Sequence, residues 1–437
     1  MRDLIVVSLV VWGSLVALRR PWIGVLVWTW LSIMNPHRYS WGFAYDAPLA
    51  ALAAAATLVG LLITRDKHSP FTAPAPILLA VLMVWMTLSW LNGLDVADDY
   101  VQWSKVMKVD LMILVALALM RSKLQIMTLL WVAAGSLALL GAKGGLFTVL
   151  NGGNFRVWGP SGSFIADNNE FACALVITIP LLRFLQLQVQ QRWVSTGMTL
   201  LMLLCAAAAL GSHSRGGLLA ISAMALFLWW RSKSKGLGAL VIGAVAIGLI
   251  AFMPDEWVTR MNSIETYEED RSAMGRISAW WNAWNLAFHY PLGVGFNAAR
   301  PELFARFSPY PEFVHAAHSI YFQILGNHGF VGLGLFLAIW ISSWRIAGWL
   351  RVHGAKIPEA AWTVDLGNYC QVALVGYAVG GAFLSLSYFD LPYNLMAVLV
   401  ATRAWVETKS WQTETVPVAR WWRLLGIGPT LPAEAKP

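Results

Sequence analysis

The sequence predicts an all-α polytopic membrane protein of about 12 transmembrane helices, with one long extramembrane loop that carries amphipathic helices. Three observations predict it. Of the 437 residues, 58% are hydrophobic and 12% charged, a charged share about half that of an ordinary soluble domain. Apolar runs approaching the roughly 20 residues needed to cross a bilayer recur along the chain. The basic residues fall in alternate connections, as they do when short cytoplasmic loops retain Lys and Arg.

The first two apolar runs, 4–18 and 22–34, flank Arg19-Arg20-Pro21, and each is short for a full crossing, so 13 spans is the alternative to 12. The same Arg-Arg-Pro stands where a cleaved signal would need small residues. Further spans are predicted at 48–64, 76–94, 105–120, 124–141, 170–187, 195–211, 215–231, 235–253, 329–350, 367–385 and 391–405. Arg65/Lys67, Arg121/Lys123, Arg183/Arg192, Arg231/Lys233/Lys235 and Arg345/Arg351/Lys356 fall on one side, read as cytoplasmic, together with the tail 406–437 and its Arg420 and Arg423. The long loop, 254–316, falls on the other side and is net acidic, and the whole chain, 1–437, reads as one integral membrane domain. The formal net charge of +8 is therefore a topology signal and implies no nucleic-acid partner. Cys173, Cys205 and Cys370 lie in apolar spans without the spacing of a redox pair or metal site. Trp28/Trp30, Trp280/Trp281 and Trp421/Trp422 cluster near span ends and read as interfacial anchors rather than sugar-stacking platforms.

Ionisable groups are expensive in lipid, so the polar sequence at the non-cytoplasmic span ends is where chemistry is expected. Three spans begin there with distinctive segments. In Gly159-Pro160-Ser161-Gly162-Ser163-Phe164-Ile165-Ala166-Asp167-Asn168-Asn169-Glu170, the glycines allow a tight loop and Asp167, Asn168 or Asn169 can cap the next helix. In Ser212-His213-Ser214-Arg215-Gly216-Gly217, Ser214 is a candidate cap. The third is His315-Ala316-Ala317-His318-Ser319. Three helix N-termini facing one surface favour an anionic ligand. Arg215 stands in a first turn, where a cation opposes the helix dipole; it is either a snorkelling interfacial arginine or a planar fork for phosphate.

Within the long loop, Ile277, Trp280/Trp281, Trp284 and Phe288 form an apolar stripe at helical spacing, ended by Pro291, which would lie on the membrane or cover a cavity mouth. Arg276 enters at its first turn and fits equally an exposed charge and a phosphate ligand. His318 is read either as a structural interfacial histidine or as a group able to accept a proton. His315, His328 and His213 match no standard metal-ligand spacing, and no metal is expected. The runs Asp95/Asp98/Asp99 and Glu268/Glu269/Asp270 read as solvated loop faces, with a divalent-cation site as the alternative. Lys105 and Lys108 share one helix side and either add to an anion field or snorkel.

The ordered set of segments resembles the O-antigen ligase and polysaccharide polymerase superfamily over essentially the whole chain. Residues 1–50, KGGLFTVLNGGNFRVWGPSGSFIADNNEFA and SRGG resemble its exosortase-associated O-glycosylation ligases. The resemblance implies that the long loop is periplasmic, that a Gly-Arg-x-x-x-Trp-like pattern maps to Arg276, that a histidine opening the following helix maps to His318, and that the SRGG arginine is Arg215. Many members have Asn after that histidine and an acid near the following Gly, where this chain has Ser319 and Asn327-His328. The implied activity is transfer of a glycan from undecaprenyl diphosphate to an acceptor hydroxyl at the periplasmic face of the bacterial inner membrane, without metal or other cofactor and with inversion. His318 would be the general base, Arg215 and Arg276 would hold the departing diphosphate, and Lys105, Lys108, Asn168 and Asn169 are secondary substrate contacts. The expected acceptor is lipid A-core oligosaccharide, in lipopolysaccharide biosynthesis, with a protein acceptor or glycan polymerisation as alternatives. A transporter of anionic lipid is the rival class. It would gather its polar groups at mid-membrane on repeated halves.

Overall fold

The computed structural model describes residues 1–231, 234–251, 253–254 and 271–414. The acids Glu268/Glu269/Asp270, Lys233, and the tail beyond Glu414 with Arg420, Trp421, Trp422 and Arg423 lie outside the described residues. Among those described, the chain is all-α, with fifteen α-helices. They are α1 Arg2–Ala17, α2 Pro21–Met34, α3 Leu49–Ile63, α4 Pro74–Leu91, α5 Val96–Leu119, α6 Lys123–Leu150, α7 Asn168–Gln188 and α8 Arg192–Gly211. Then come α9 Arg215–Arg231, α10 Lys235–Ala251, α11 Arg271–His289, α12 Pro301–Phe307, α13 Ile320–Gly354, α14 Trp362–Gly381 and α15 Asp390–Glu407.

Local sequence explains several of the helix starts. Pro21, Pro74 and Pro301 occupy first helical positions, where the missing N–H costs nothing. Asp95 accepts the Asp98 amide at 3.0 Å to cap α5, and Ser122 with Gln125 forms a reciprocal capping box on α6. Among the described residues, five helices are long and apolar enough to cross a membrane: α4, α6, α7, α8 and α13. Along α1, α3, α8 and α9 large apolar side chains such as Leu15, Leu62, Leu200 and Leu226 stay exposed, as a lipid-facing surface requires. The centre is the reverse. Helix α15 is buried from Asp390 through Thr402, and α7 buries Phe171 and Phe184 completely. Helices α6 and α8 approach closely at Gly145, where a Cβ would stand 2.2 Å from the Leu204 carbonyl oxygen.

The expected span at 329–350 begins instead at Ile320. Gln323, Asn327 and His328 lower the apolar score there, yet Asn327 and His328 are buried and bonded inside the bundle. Helix α13 is broken at Gly329, whose φ of 66° suits glycine alone. The carbonyls released by the break find partners elsewhere. Asn327 O accepts from Ser89 Oγ and from the Val294 amide, both at 2.9 Å, and His328 O accepts from Trp85 Nε1 at 2.8 Å. A break whose freed carbonyls find such partners is tolerated inside a membrane bundle.

Candidate active site

Three helix starts converge at one end of the bundle. Asp167 caps α7 by accepting the Asn169 amide at 2.9 Å, and Ser214 Oγ accepts the Gly217 amide at 3.1 Å at the head of α9. The two first turns touch, since a Cβ at Gly217 would stand 2.9 Å from that of Ala172. The segment after α14 closes the junction. Leu384 lies against Gly216, and the Ser385 amide donates to Glu170 Oε1 at 3.2 Å. Arg215 thus opens α9 beside the Glu170 turn of α7.

His318 completes this junction from the third helix. Its Nδ1 lies 3.4 Å from Glu170 Oε1, with side-chain exposures of 19% and 6%. The residue holds φ 40°, a left-handed backbone that costs a non-glycine residue free energy and persists only where its surroundings fix it. Trp280 Nε1 supplies part of that fixation by donating to the Ala317 carbonyl at 2.7 Å, while its ring stacks on Phe322 at 5.1 Å. His213, just before Ser214, is also left-handed (φ 57°), and its Nε2 is bonded to the Gly153 carbonyl at 2.9 Å.

Helix α11 brings Arg276 to the same place. A Cβ at Gly275 would stand 3.2 Å from the His315 side chain, so the glycine lets the helix lie directly on that histidine. The rings of His315 and His318 are 4.8 Å apart. Partial burial holds the His315 pKa below its ordinary value; its bond to the Ala316 carbonyl opposes the shift, and the nearby charges of His318 and Arg276 reinforce it. Burial alone would raise the Asp167 carboxyl, but hydrogen bonding with Glu170 and Asn169 and the charge of His318 outweigh it and leave the pKa lowered. Asp167, Glu170, His318 and His315 form one continuous polar group on which the Arg276 charge acts through His315, and Arg215 opens α9 next to the turn that carries Leu384 and Ser385. Such a group can hold an anion and move a proton beside it.

The other expected residues take different places. Asn168 is 3% exposed and donates to the Ser212 carbonyl at 2.6 Å, tying α7 to the turn before α9. Asn169 folds back on its cap, Asp167. Lys105 donates to the Gly162 carbonyl at 3.1 Å, and its ammonium lies 3.9 Å from the Phe164 ring centre, whereas Lys108 is exposed. The run Asp95/Asp98/Asp99 is not merely a solvated face. Arg300 reaches all three, at 3.5, 3.6 and 3.0 Å, and Asp99, 2% exposed, also accepts the Phe296 amide at 2.7 Å. Trp280 is half-buried and stacks on Phe322, while Trp281, Trp284 and Phe288 of the same helix remain exposed. Of the other histidines only His315 reaches His318. His328 is buried between Ser89 Oγ and the Tyr388 hydroxyl. Among the described residues no group of three or more His, Cys, Asp or Glu side chains is arranged to hold a metal ion.

The fold marks a multi-pass all-α membrane protein, and its candidate site, with His318, Glu170 and Arg276, lies where helices α7, α9 and α13 begin. Residues 200–337 match the family model described as O-Antigen ligase, and residues 1–209 match a family of unknown function, DUF5935. The ligase match takes in Arg215, Arg276, His315 and His318; Glu170 falls in the stretch matched by the second family alone. No curated protein matches the chain.

Proposed function

We propose that the chain transfers a glycan from undecaprenyl diphosphate to an acceptor hydroxyl at the periplasmic face of the inner membrane, with lipid A-core oligosaccharide as acceptor in lipopolysaccharide biosynthesis. The observation that carries this reading is the meeting of Arg276, His315, His318 and Glu170, with Arg215 alongside, inside and next to the stretch that matches O-Antigen ligase. With Nδ1 turned to Glu170, His318 offers Nε2 to the acceptor hydroxyl. The imidazole takes the hydroxyl proton as the oxygen bonds to the anomeric carbon, and the bond from that carbon to the diphosphate oxygen breaks. The electron pair leaves on the diphosphate, where Arg215 and Arg276 with the nearby helix amides stabilise it without a metal ion. In-line displacement inverts the anomeric centre. Glu170 acts through His318 as a positioning residue.

Reconstitution with a lipid-linked oligosaccharide and separately supplied acceptors tests the reading. Glycan on lipid A-core supports it, and glycan on a protein acceptor corrects the acceptor while keeping the chemistry. Elongation on the polyprenyl carrier alone identifies a polymerase. No transfer to any acceptor by folded wild-type protein would refute it.

A further inference from the structure

A cavity of about 110 Å³ adjoins the histidine pair, bounded by α11, the 296–299 loop, the 315–317 segment, the first turn of α13 and Ser385. Two of its walls touch the reacting group directly. His315 stacks near His318, and the Ser385 amide is bonded to the same Glu170 oxygen that faces His318. Whatever fills the cavity is therefore held next to the proposed base.

The wall chemistry narrows the occupant. Phe296, Phe304 and Phe322 supply apolar faces, while Asn282, Gln323 and Ser385 supply neutral polar groups. Asn282 is 1% exposed; its Nδ2 donates to the Ala298 carbonyl at 3.0 Å, but its Oδ1 has no hydrogen-bond partner among the described residues. Ser385 Oγ likewise has none. A buried acceptor and a hydroxyl left open in this way suit a ligand that brings hydroxyls of its own. No Lys or Arg lines the cavity, so a phosphate has no counter-charge there. A lipid chain has a better place next door, in a groove of about 420 Å³ made only of Ile277, Trp280, Trp281, Trp284 and Phe322. The occupant that uses both the aromatic faces and the amides is a neutral sugar ring, with its C–H face on phenyl rings and its hydroxyls on Asn282 and Ser385.

We propose that this cavity is a subsite for one sugar ring of a glycan substrate, a specific assignment that rests on the glycan-transfer reading above. The ring comes either from the donor glycan or from the acceptor oligosaccharide; the two share the chemistry and are separated by kinetics.

The test is saturation-transfer NMR on the full chain in detergent, titrated with methyl glycosides of neutral hexoses and N-acetylhexosamines. Enhancement of ring protons is expected in the wild type. It should vanish in Ala316→Trp, which fills the mouth from an exposed position, and Ser385→Ala should weaken binding about 3- to 10-fold, the loss of one hydrogen bond. No enhancement with any glycoside, or enhancement that Ala316→Trp leaves unchanged, overturns the subsite. In the transfer assay Ser385→Ala should raise KM for the substrate whose ring sits there. A raised donor KM assigns the ring to the donor and a raised acceptor KM to the acceptor, while both constants unmoved also overturns the subsite. Binding without transfer would remove the ligase reading and keep the subsite, and transfer without binding would remove the subsite alone.

Discussion

Replacing Glu170 by Gln isolates what its carboxylate does for His318. Gln keeps the volume and an oxygen for the Ser385 amide, now 3.2 Å from Glu170 Oε1, so the α7 to Ser385 tie survives; what is lost is the negative charge 3.4 Å from His318 Nδ1. At 6% and 19% side-chain exposure the pair is largely shielded from solvent. No hydrogen bond joins the two side chains among the described residues, so the contact acts as a partly shielded ion pair and contributes about 1–3 kcal/mol, between the exposed and fully buried limits. If that stabilisation is realised as His318 takes the proton, turnover falls about 5- to 10²-fold, because each 1.36 kcal/mol is tenfold in rate. The assay is transfer in proteoliposomes from a lipid-linked oligosaccharide, with donor binding measured separately and expected to change little. Turnover within twofold of wild type, with donor binding unchanged, would refute a role for Glu170 in positioning His318.

Four further outcomes are expected. Arg215→Lys and Arg276→Lys keep the charge and lose the bidentate fork, so each should cut turnover strongly in inserted, folded protein; near wild-type turnover in both would remove the diphosphate role. Activity should survive EDTA and exhaustive metal removal, and loss restored by Mg²⁺ or Mn²⁺ would require a cation in the reaction. A single cysteine at Glu312 should react with a membrane-impermeant thiol reagent from the periplasm and one at Ser234 should not; the opposite pattern inverts the topology. Asp99→Ala removes the closest partner of Arg300, at 3.0 Å and 17% exposed, and leaves the Phe296 amide unpaired. Breaking a buried pair costs about 3–5 kcal/mol, and the retained partners Asp95 and Asp98 are exposed enough to recover little. Thermal unfolding in detergent should therefore begin at lower temperature, and an unchanged transition would show that Arg300 and Asp99 do not secure this loop.

Local signals in the sequence reached far into this site because helix starts are local events. Asp167 and Ser214 cap where their spacing predicts, and His318 stands one residue before Ser319, the N-cap of the helix it was expected to open. What stayed hidden depends on contacts between distant parts of the chain. Glu170 was visible only as part of a cap segment, and nothing in sequence sets it against His318. Asp99 looked like part of a solvated run because its partner, Arg300, stands 201 residues later. Span counting met a related limit. Helices α5 and α15 contain Asp110 and Asp390, which lower their apolar content, yet both carboxyls are buried in the interior, where polar groups can be matched by other helices.

The same distinction explains Asn327-His328, two polar residues at the helix break. Both side chains are already engaged. Asn327 Oδ1 accepts the Ala298 amide at 3.1 Å, and its Nδ2 donates to the Phe296 carbonyl and the Tyr388 hydroxyl, each at 3.1 Å; His328 bridges Ser89 and Tyr388. With the released Asn327 carbonyl held by Ser89 and Val294, these bonds fasten the short helix 320–328 to α4, to the 294–298 loop and to Tyr388. The opposite end of that short helix presents His318, fixed by the Trp280 bond to the preceding carbonyl. A two-turn helix anchored at both ends holds its first residues more rigidly than the end of a free span would. The break at Gly329 is what allows this segment to be oriented independently of the long span behind it. The polar residues at the break thus act on His318 by holding its helix.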